Sequence, residues 1–476
     1  MTAERLDYDP VMPTTPWRAL LIVALVALLH AACFAAYQRP EWDTSWDDQV
    51  GYQRLGHVLA TTGEFTRSPE LQPFVPETIR TPGYPILVAG VYLVAGEHHA
   101  SVAVVQALIF ALLTLVVFAL GSRLASQRVA LAGAFFTALF PAIPYYGALV
   151  LTEVWCTFLV TLGMWTAVCA VQDRRTSQYV LTGILFGLAT LTRPTFALFP
   201  VALVGCIAVA ALWQGEWRRV WPWAWTLAAF AVALSPWLAY NVRHVHRLTI
   251  SPAGGIGRAT WEASWQGTWP GRVQADLTRL VDAHVDDDDA SLDAQVASFA
   301  AANGMAAEPM RAYVHQWRDI RRIWNTPTDP RERALARIAA DEAYWTAGLE
   351  NIKQDRVGHV LRRITVGTFV LWAAEIPIRY SRINGVSPTV IHGMWAVQAG
   401  VMALALTGIV FVAHRRGLVV AAPLVALIAY ITLLHVPMLA EARYSLPAKP
   451  VVLLLAAIAL AELLHRFLPQ TGDYLP

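Results

Sequence analysis

Two adjacent aspartates, Asp47 and Asp48, follow the first strongly apolar segment and open a stretch with helical character at 49–62. An aspartate at a helix start accepts hydrogen bonds from first-turn backbone N–H groups, so capping is one interpretation, with Gly63 suited to end the helix. The same N–H groups and the helix dipole keep the carboxylate ionised. An ionised, oriented carboxylate is what a general base requires, so capping and catalysis are compatible.

Other polar residues interrupt the apolar runs, and all of them are predicted to lie near the same membrane surface. A charge close to a membrane core is costly and normally faces the protein interior or a cavity, so together these residues predict a site. Each also has a structural alternative. Arg80 could occupy the plain surface, and Glu153 could pair with Arg193 between neighbouring helices. Arg243 and Arg443 could anchor in lipid headgroups. The interrupting residues are Thr152, Glu153, Thr192, Arg80, Arg193, Arg243, Glu441, Arg443 and Tyr444.

The composition places these residues in a membrane protein. The chain has 476 residues, 56% of them hydrophobic and 15% charged, with a mean hydropathy of +0.44. Soluble domains carry about 25% charged residues. Many segments here approach the roughly 20 apolar residues that cross a bilayer. The sequence therefore predicts an all-α polytopic membrane protein, and its net charge of +2 gives no indication of nucleic acid binding.

Ten segments are predicted to span the membrane. Two shorter apolar stretches, 84–95 and 365–376, are predicted to lie at the interface or to re-enter, which gives about 10–12 membrane helices. The ten spans lie at 17–37, 101–121, 129–145, 150–171, 179–192, 195–213, 221–240, 391–413, 418–435 and 447–465.

Arginines in alternate short loops set the predicted orientation. Pairs such as Arg123 with Arg128 and Arg415 with Arg416 fall on one side, which the positive-inside rule makes cytoplasmic, together with both termini. The polar residues above then lie outside, as in a bacterial inner membrane protein. The predicted parts are an N-terminal transmembrane module at 1–240 with its first external loop at 38–83, a long external loop at 241–364, and a C-terminal transmembrane module at 365–476.

An ordered set of short motifs resembles a known family. The motifs are "DQVGY" from Asp48, "RTPGYPILVAG" from Arg80, "LTE" ending at Glu153, "LATLTRPTFALFP" around Arg193 and "EARYSLPAKPVV" around Arg443. Over nearly its full length the chain resembles the glycosyltransferases of the GT-C fold, in particular the protein O-mannosyltransferase and aminoarabinose transferase group. The resemblance implies amphipathic interfacial helices in the first external loop. It also implies transfer of a sugar from a polyprenyl-phosphate carrier to an acceptor on the external side.

The resemblance implies roles for individual residues. The general base of the family is an acid of the first loop, and Asp48 keeps its four-residue spacing to Tyr52. Family members often carry a second acid after the first, whereas Gln49 follows here and Asp47 precedes, which leaves the division between the two aspartates open. Arg80, beside Tyr84, is the first choice for contacting the carrier phosphate. Arg243 and Arg443 are supporting candidates, with Glu153, Arg193 and Tyr444 completing the predicted site.

The residue types suit a single inverting displacement. One carboxylate can take the proton of an attacking hydroxyl, and the leaving phosphate monoester needs positive charge more than it needs an acid. Arginine forks hold phosphate oxygens bidentately and stabilise the developing charge. The expected partners are a polyprenyl-phosphate sugar, membrane lipids and an acceptor that is a glycan, lipid or protein. No cofactor is expected to be required, and a divalent metal on Asp47, Asp48 or Glu153 is an alternative.

Two other functions compete with this one. A transporter or flippase for polyprenyl-linked sugars would also need arginines for phosphate, but it predicts polar groups at the bilayer midplane. A ligase that moves a glycan from a polyprenyl-diphosphate carrier would need external arginines as well. In the long loop, Trp261, Trp265 and Trp269 are expected to pack the loop onto the membrane, with stacking on sugar rings as the alternative.

Overall fold

The computed structural model describes residues 16–42, 47–374 and 387–467, and it describes Glu41, Asp47, Gly271 and Arg272 by their backbone alone. The described residues form helices and contain no strand. Eight of these helices, some with flanking turns, are long and apolar enough to cross a membrane. The eight segments are Trp17–Gln38, His99–Leu124, Glu153–Asp173, Pro194–Trp213, Trp217–Val245, Pro388–Arg416, Leu418–His435 and Ala442–Phe467.

The described residues up to Val245 form ten α-helices. The ten are α1 (Trp17–Gln38), α2 (Asp47–Thr62), α3 (Gly83–Ala95), α4 (His99–Leu124), α5 (Gln127–Leu139), α6 (Ala142–Gly147), α7 (Glu153–Asp173), α8 (Thr176–Thr192), α9 (Phe199–Trp213) and α10 (Ala224–Val245). Eight of the ten predicted spans match the eight long apolar segments. The predicted span at 129–145 is instead divided into α5 and α6, because Pro141 cannot continue the first helix. The predicted span at 179–192 is α8, whose 17 residues make it one residue shorter than Leu418–His435, the shortest of the eight long apolar segments.

The remainder comprises a group of six helices and a second group of long apolar helices. We call the six helices the extramembrane helical unit, because none of them is long and apolar enough to cross a membrane. The unit contains α11 (Ile256–Trp265), α12 (Gly271–Ala283), α13 (Asp289–Ala302), α14 (Ala307–Asn325), α15 (Pro330–Gln354) and α16 (Arg356–Arg362). After α17 (Thr368–Ala373) follow α18 (Pro388–Arg416), α19 (Leu418–His435) and α20 (Lys449–Phe467), the last preceded by a 3-10 turn at Ala442–Ala448.

The extramembrane helical unit has a hydrophobic core of its own. Trp261 is fully buried and lies 5.0 Å from the ring of Tyr313, while the rings of Trp265 and Trp269 stack 5.5 Å apart within the same core. The aromatic side chains fill space between α11, α14 and α15. Because this core buries Trp261 and Trp269 and half-buries Trp265, the structure supports neither the predicted membrane packing nor sugar stacking for them.

The basic loops predicted to share one side come together at one end of the bundle. Arg123 in the last turn of α4 donates to Asp173 at the end of α7 at 2.8 Å, and Arg415 at the end of α18 contacts Glu462 of α20 at 2.5 Å. Arg416 donates to the backbone oxygen of Leu124. These contacts join the ends of α4, α7, α18 and α20, and the predicted site lies at the opposite ends of the helices.

Candidate active site

The central contact of the site is a carboxylate held between two arginines. Asp48 lies in the first turn of α2, where its Oδ1 accepts a hydrogen bond from Arg80 Nη2 at 2.7 Å. Its Oδ2 lies 3.4 Å from Arg443 Nη1, which comes from the 3-10 turn before α20. The segments that follow α1 and precede α20 therefore meet at this carboxylate.

The packing of helix α2 against its neighbours fixes the position of Asp48. Leu55 and Val58 are buried against neighbouring helices, whereas Val50 is exposed. Gly56 allows α2 to approach α3 so closely that an added Cβ would lie 2.4 Å from a methyl carbon of Val88. The helix ends at Gly63, whose φ of +74° is a left-handed conformation that favours glycine, as the sequence predicted.

The backbone around Arg80 is fixed by a buried acid. Oε1 of Glu77 accepts hydrogen bonds from the backbone N–H of Ile79 at 2.8 Å and from that of Arg80 at 3.1 Å. Arg67 pairs with the same carboxylate. The Arg80 guanidinium lies 4.3 Å from the ring centroid of Tyr52, which is within the range of a cation–π interaction. Arg80 is therefore held by its backbone, by Asp48 and by an aromatic face.

Two tyrosines support Arg80: Tyr52 packs against its guanidinium group, and Tyr84 packs against Tyr52. The ring of Tyr52 meets the ring of Tyr84 edge to face at 5.0 Å, and the Tyr84 hydroxyl donates to Gln106 Oε1 at 3.2 Å. Burial raises the pKa of both phenols, so they stay protonated at neutral pH and cannot serve as ready bases. Their role in the site is to shape it and to position the cation.

A second ion cluster adjoins the first through Arg443. Glu153, the first residue of α7, lies 3.5 Å from Arg193 Nη1 and 3.9 Å from Arg443 Nη1. Glu441 accepts from Arg443 Nε at 2.6 Å. The ring of Tyr444 lies between the two arginines, 5.5 Å from Arg193 and 5.7 Å from Arg443. The ion pair that was a structural alternative for Glu153 and Arg193 is present, and it is continuous with the Asp48 cluster.

The close approach of two helix ends allows this cluster to form. Gly83 begins α3 directly against the end of α8, and an added Cβ would lie 2.7 Å from the backbone carbon of Leu191. Arg193 follows α8 in extended conformation. The "TPGYP" motif therefore brings the Arg80 segment beside the Arg193 segment, because only a glycine fits between the two backbones.

An open cavity of about 740 Å³ lies against the ion cluster. Its walls include Asp48, Arg443 and Tyr444 from the predicted site. The opposite wall is α11 of the extramembrane helical unit, with Arg258 donating to Glu262 at 2.8 Å. These two residues were not predicted from the sequence, although their four-residue spacing on a helix after the glycines of 254–257 was a weak signal. Other lining residues include Tyr146, Gly254, Gly255, Leu439 and Glu441.

Several polar atoms of the site are buried without a hydrogen-bond partner among the described residues. They are Arg80 Nε, Arg193 Nη1 and Glu153 Oε2. A buried donor without an acceptor is costly, and such groups occur where a ligand or water completes the site. Two of the three are guanidinium N–H groups, so the cluster has donors to offer to an anionic ligand.

The electrostatic surroundings keep Asp48 ionised. Burial acts to raise the pKa of this carboxyl, but the charges of Arg80 and Arg443 and their hydrogen bonds outweigh burial and lower the pKa to about 2. Burial acts to lower the pKa of Arg80, but Tyr52 and the Asp48 carboxylate together raise it above its usual value. Asp48 is therefore a carboxylate at any physiological pH.

Two predicted site residues are not brought into these contacts. Arg243 is exposed in the last turn of α10 and has no described contact with the other site residues. Asp47 begins α2, but its side chain lies outside the described part of the structure. Among the described side chains there is no group of three or more histidines, cysteines and acids arranged for a metal ion.

Comparisons with known proteins agree with this architecture. Residues 79–240 match the family "Dolichyl-phosphate-mannose-protein mannosyltransferase". The archaeal oligosaccharyltransferase AglB from Archaeoglobus fulgidus, solved with an inhibitory peptide and a dolichol-phosphate, is 14% identical with a TM-score of 0.52. That alignment covers 94% of this chain and 50% of AglB, so the chain spans about half the length of that protein. ArnT from Cupriavidus metallidurans, bound to undecaprenyl phosphate, is 13% identical with a TM-score of 0.41, covering 94% of this chain and 79% of ArnT. None of the curated proteins compared with the chain matches it.

The fold defines a polytopic helical membrane protein with the GT-C architecture, as the sequence predicted. The chain resembles the GT-C glycosyltransferases that depend on polyprenyl-phosphate carriers, and the family match over residues 79–240 confirms that predicted resemblance. The matched segment includes Arg80, Glu153 and Arg193. It begins after Asp48 and ends before Arg443, so the contact between those two residues is a finding of the structure alone.

Proposed function

We propose that this chain is a membrane glycosyltransferase that moves a sugar from a polyprenyl-phosphate-linked donor to a hydroxyl group of an acceptor. The observation that carries the proposal is the Asp48 carboxylate, held between Arg80 and Arg443 at the wall of an open cavity. The family match over residues 79–240, described by a dolichyl-phosphate-mannose donor, supports the donor class.

The proposed step is a single displacement at the anomeric carbon. The acceptor oxygen forms a bond to that carbon, and its proton passes to Asp48. The bond between the carbon and the phosphate oxygen breaks, and the electron pair leaves with the lipid phosphate. Because the acceptor attacks the face opposite the leaving group, the anomeric configuration inverts. One carboxylate and several arginines are sufficient for these transfers.

The arginines have two consecutive tasks in this proposal. Without donor they neutralise Asp48, which makes the carboxylate a weak base. A donor phosphate competes for the same guanidinium groups, and each hydrogen bond that shifts from Asp48 to phosphate raises the proton affinity of the carboxylate. Arg80 Nε has no hydrogen-bond partner among the described residues, and Arg193 Nη1 has only its 3.5 Å ion-pair contact with Glu153, so both N–H groups are available to this phosphate. Donor binding would therefore activate the base.

We further propose that the site faces the exterior of a bacterial inner membrane, with both termini in the cytoplasm. The basic loops cluster at the end of the bundle opposite Asp48, and positive loops favour the cytoplasmic side. The cavity wall formed by α11 suggests that the extramembrane helical unit borders the path of the acceptor.

The test is a donor-consumption assay with the purified full-length protein in liposomes. A panel of radiolabelled polyprenyl-phosphate sugars is offered with membrane extract as the acceptor source, and loss of label from the carrier is followed. One donor should be consumed by the wild-type protein. The Arg80→Ala/Arg443→Ala variant should neither bind nor consume that donor. If a donor binds but is never consumed, the proposal fails and a transporter of lipid-linked sugars becomes the better account.

A further inference from the structure

We propose a second binding site, for the phosphate headgroup of an anionic membrane lipid, at the end of the bundle opposite Asp48. An open cavity of about 520 Å³ lies there, between the ends of α4, α7 and α18 and the connection from α9 to α10. Four separate chain segments each contribute an arginine to its lining. These are Arg123, Arg174, Arg219 and Arg416.

The charges around this cavity do not balance. Asp173 is the one acid in the lining, and it already accepts hydrogen bonds from Arg123 at 2.8 Å and Gln178 at 2.9 Å. Arg219 is paired with Glu216, which lies outside the lining, at 2.6 Å. Arg174 has no ion pair among the described contacts. With Asp173 paired to Arg123 and Glu216 paired to Arg219, the positive charges of Arg174 and Arg416 stay uncompensated among the described residues, and a phosphate would balance them.

An apolar slot beside the cavity indicates a lipid in preference to a soluble anion. The slot has a volume of about 90 Å³ and shares Arg174 and Arg219 with the basic cavity, while Tyr179, Pro222 and Trp223 supply its apolar walls. Nearby, Trp221 is 71% exposed. Basic pockets flanked by apolar surface between membrane helices bind anionic headgroups. A free phosphate ion has no apolar group that could fill this slot.

The backbone at Arg174 is a second indication. This residue follows α7 with φ 58° and ψ 31°, a left-handed conformation at a position that normally favours glycine or asparagine. A side chain with a Cβ is strained there. The chain thus carries a cation where the backbone favours a small residue, which suggests that the guanidinium itself is required.

The experiment measures lipid retention by native mass spectrometry of the full-length protein in detergent. The probes are phosphatidylglycerol, phosphatidylcholine and inorganic phosphate. The test variant is Arg174→Asn, which removes the cation and relieves the backbone, so its thermal stability should not fall. Arg219→Gln is the second test variant. The control is Arg128→Gln, which removes an exposed arginine at the same end of the bundle but outside the cavity lining.

The wild-type protein and the Arg128→Gln control should retain phosphatidylglycerol over phosphatidylcholine. Each test variant should bind phosphatidylglycerol about fivefold more weakly. Donor consumption should be unchanged in Arg174→Asn, which separates this site from the one at Asp48. Equal retention of both lipids, or equal losses in Arg128→Gln and Arg174→Asn, would overturn the proposal. So would displacement of phosphatidylglycerol by inorganic phosphate at equal concentration, since the ligand would then be a soluble anion.

Discussion

The guanidinium of Arg80 donates to the carboxylate of Asp48 at 2.7 Å, although the two residues are 32 positions apart in the chain. The contact joins the start of α2 to the segment that leads into α3. It places a cation that could bind phosphate directly beside an ionised carboxylate. In the proposed reaction Asp48 serves the bond that forms to the anomeric carbon, and Arg80 serves the bond that breaks on the opposite face of that carbon, so their separation matters as much as their presence.

Replacing Arg80 tests whether its planar fork, or only its charge, serves the donor. Arg80→Ala should raise the KM for the lipid donor about 10- to 100-fold, because a charge-assisted hydrogen bond contributes about 1.5–3 kcal/mol. Arg80→Lys keeps the charge but loses the planar guanidinium group, so its KM should lie between those of the wild-type protein and Arg80→Ala. Steady-state donor consumption measures both. If all three proteins had the same KM, Arg80 would have no part in donor binding.

The pH dependence of the reaction should reflect the low pKa of Asp48. Because this pKa lies near 2 in the unliganded protein, protonation of Asp48 should not reduce kcat/KM between about pH 4 and pH 8. In Arg80→Ala, burial persists while part of the compensating charge is lost, so the acid limb should move to higher pH. Initial rates over that range, with Arg331→Ala as an exposed control, measure the difference. A wild-type acid limb near pH 6 would contradict the assigned electrostatics.

The Glu153–Arg193 pair should be important for stability as well as activity. Glu153→Gln leaves Arg193 buried with less compensation, and breaking a buried pair typically costs about 3–5 kcal/mol. Thermal unfolding in detergent should therefore show a large loss for the single variant. Glu153→Gln/Arg193→Gln should recover much of the stability without recovering donor consumption. Recovery of both properties would show that the pair is purely structural.

The contact of α2 with α3 should be sensitive to side-chain size. Gly56→Ala would place a Cβ within 2.4 Å of Val88, so the helices must separate and Asp48 should be displaced. We expect lower thermal stability and lower donor consumption, since overpacking costs about 1–3 kcal/mol. Gly90→Ala in α3 is the matched control, because no heavy atom lies within 4 Å of its added Cβ. Equal behaviour of the two variants would argue against close packing at Gly56.

Much of this arrangement could be predicted from the sequence, since hydropathy marks membrane helices and polar interruptions mark their functional ends. Asp48, Arg80 and Arg443 were predicted in this way, and the structure brings them together. The break between α5 and α6 at Pro141 was missed because apolar residues continue on both sides of it.

Other features depend on tertiary packing. Arg258 and Glu262 reach the cavity because α11 packs on α15, where Asp341 accepts hydrogen bonds from the N–H groups of Gly257 and Arg258. No local pattern reveals that packing. The role expected for Trp261 was also wrong, because its burial depends on aromatic partners such as Tyr313, about 50 residues away in the sequence.

The most direct test of the account compares Asp48→Asn with the wild-type protein in a single assay of donor binding and donor consumption. Asparagine preserves the shape of the side chain but cannot accept the proton. We predict that the variant binds the labelled donor about as tightly as the wild type and consumes it at least about 100-fold more slowly. Consumption at a rate near wild type would contradict the assignment of Asp48 as the base.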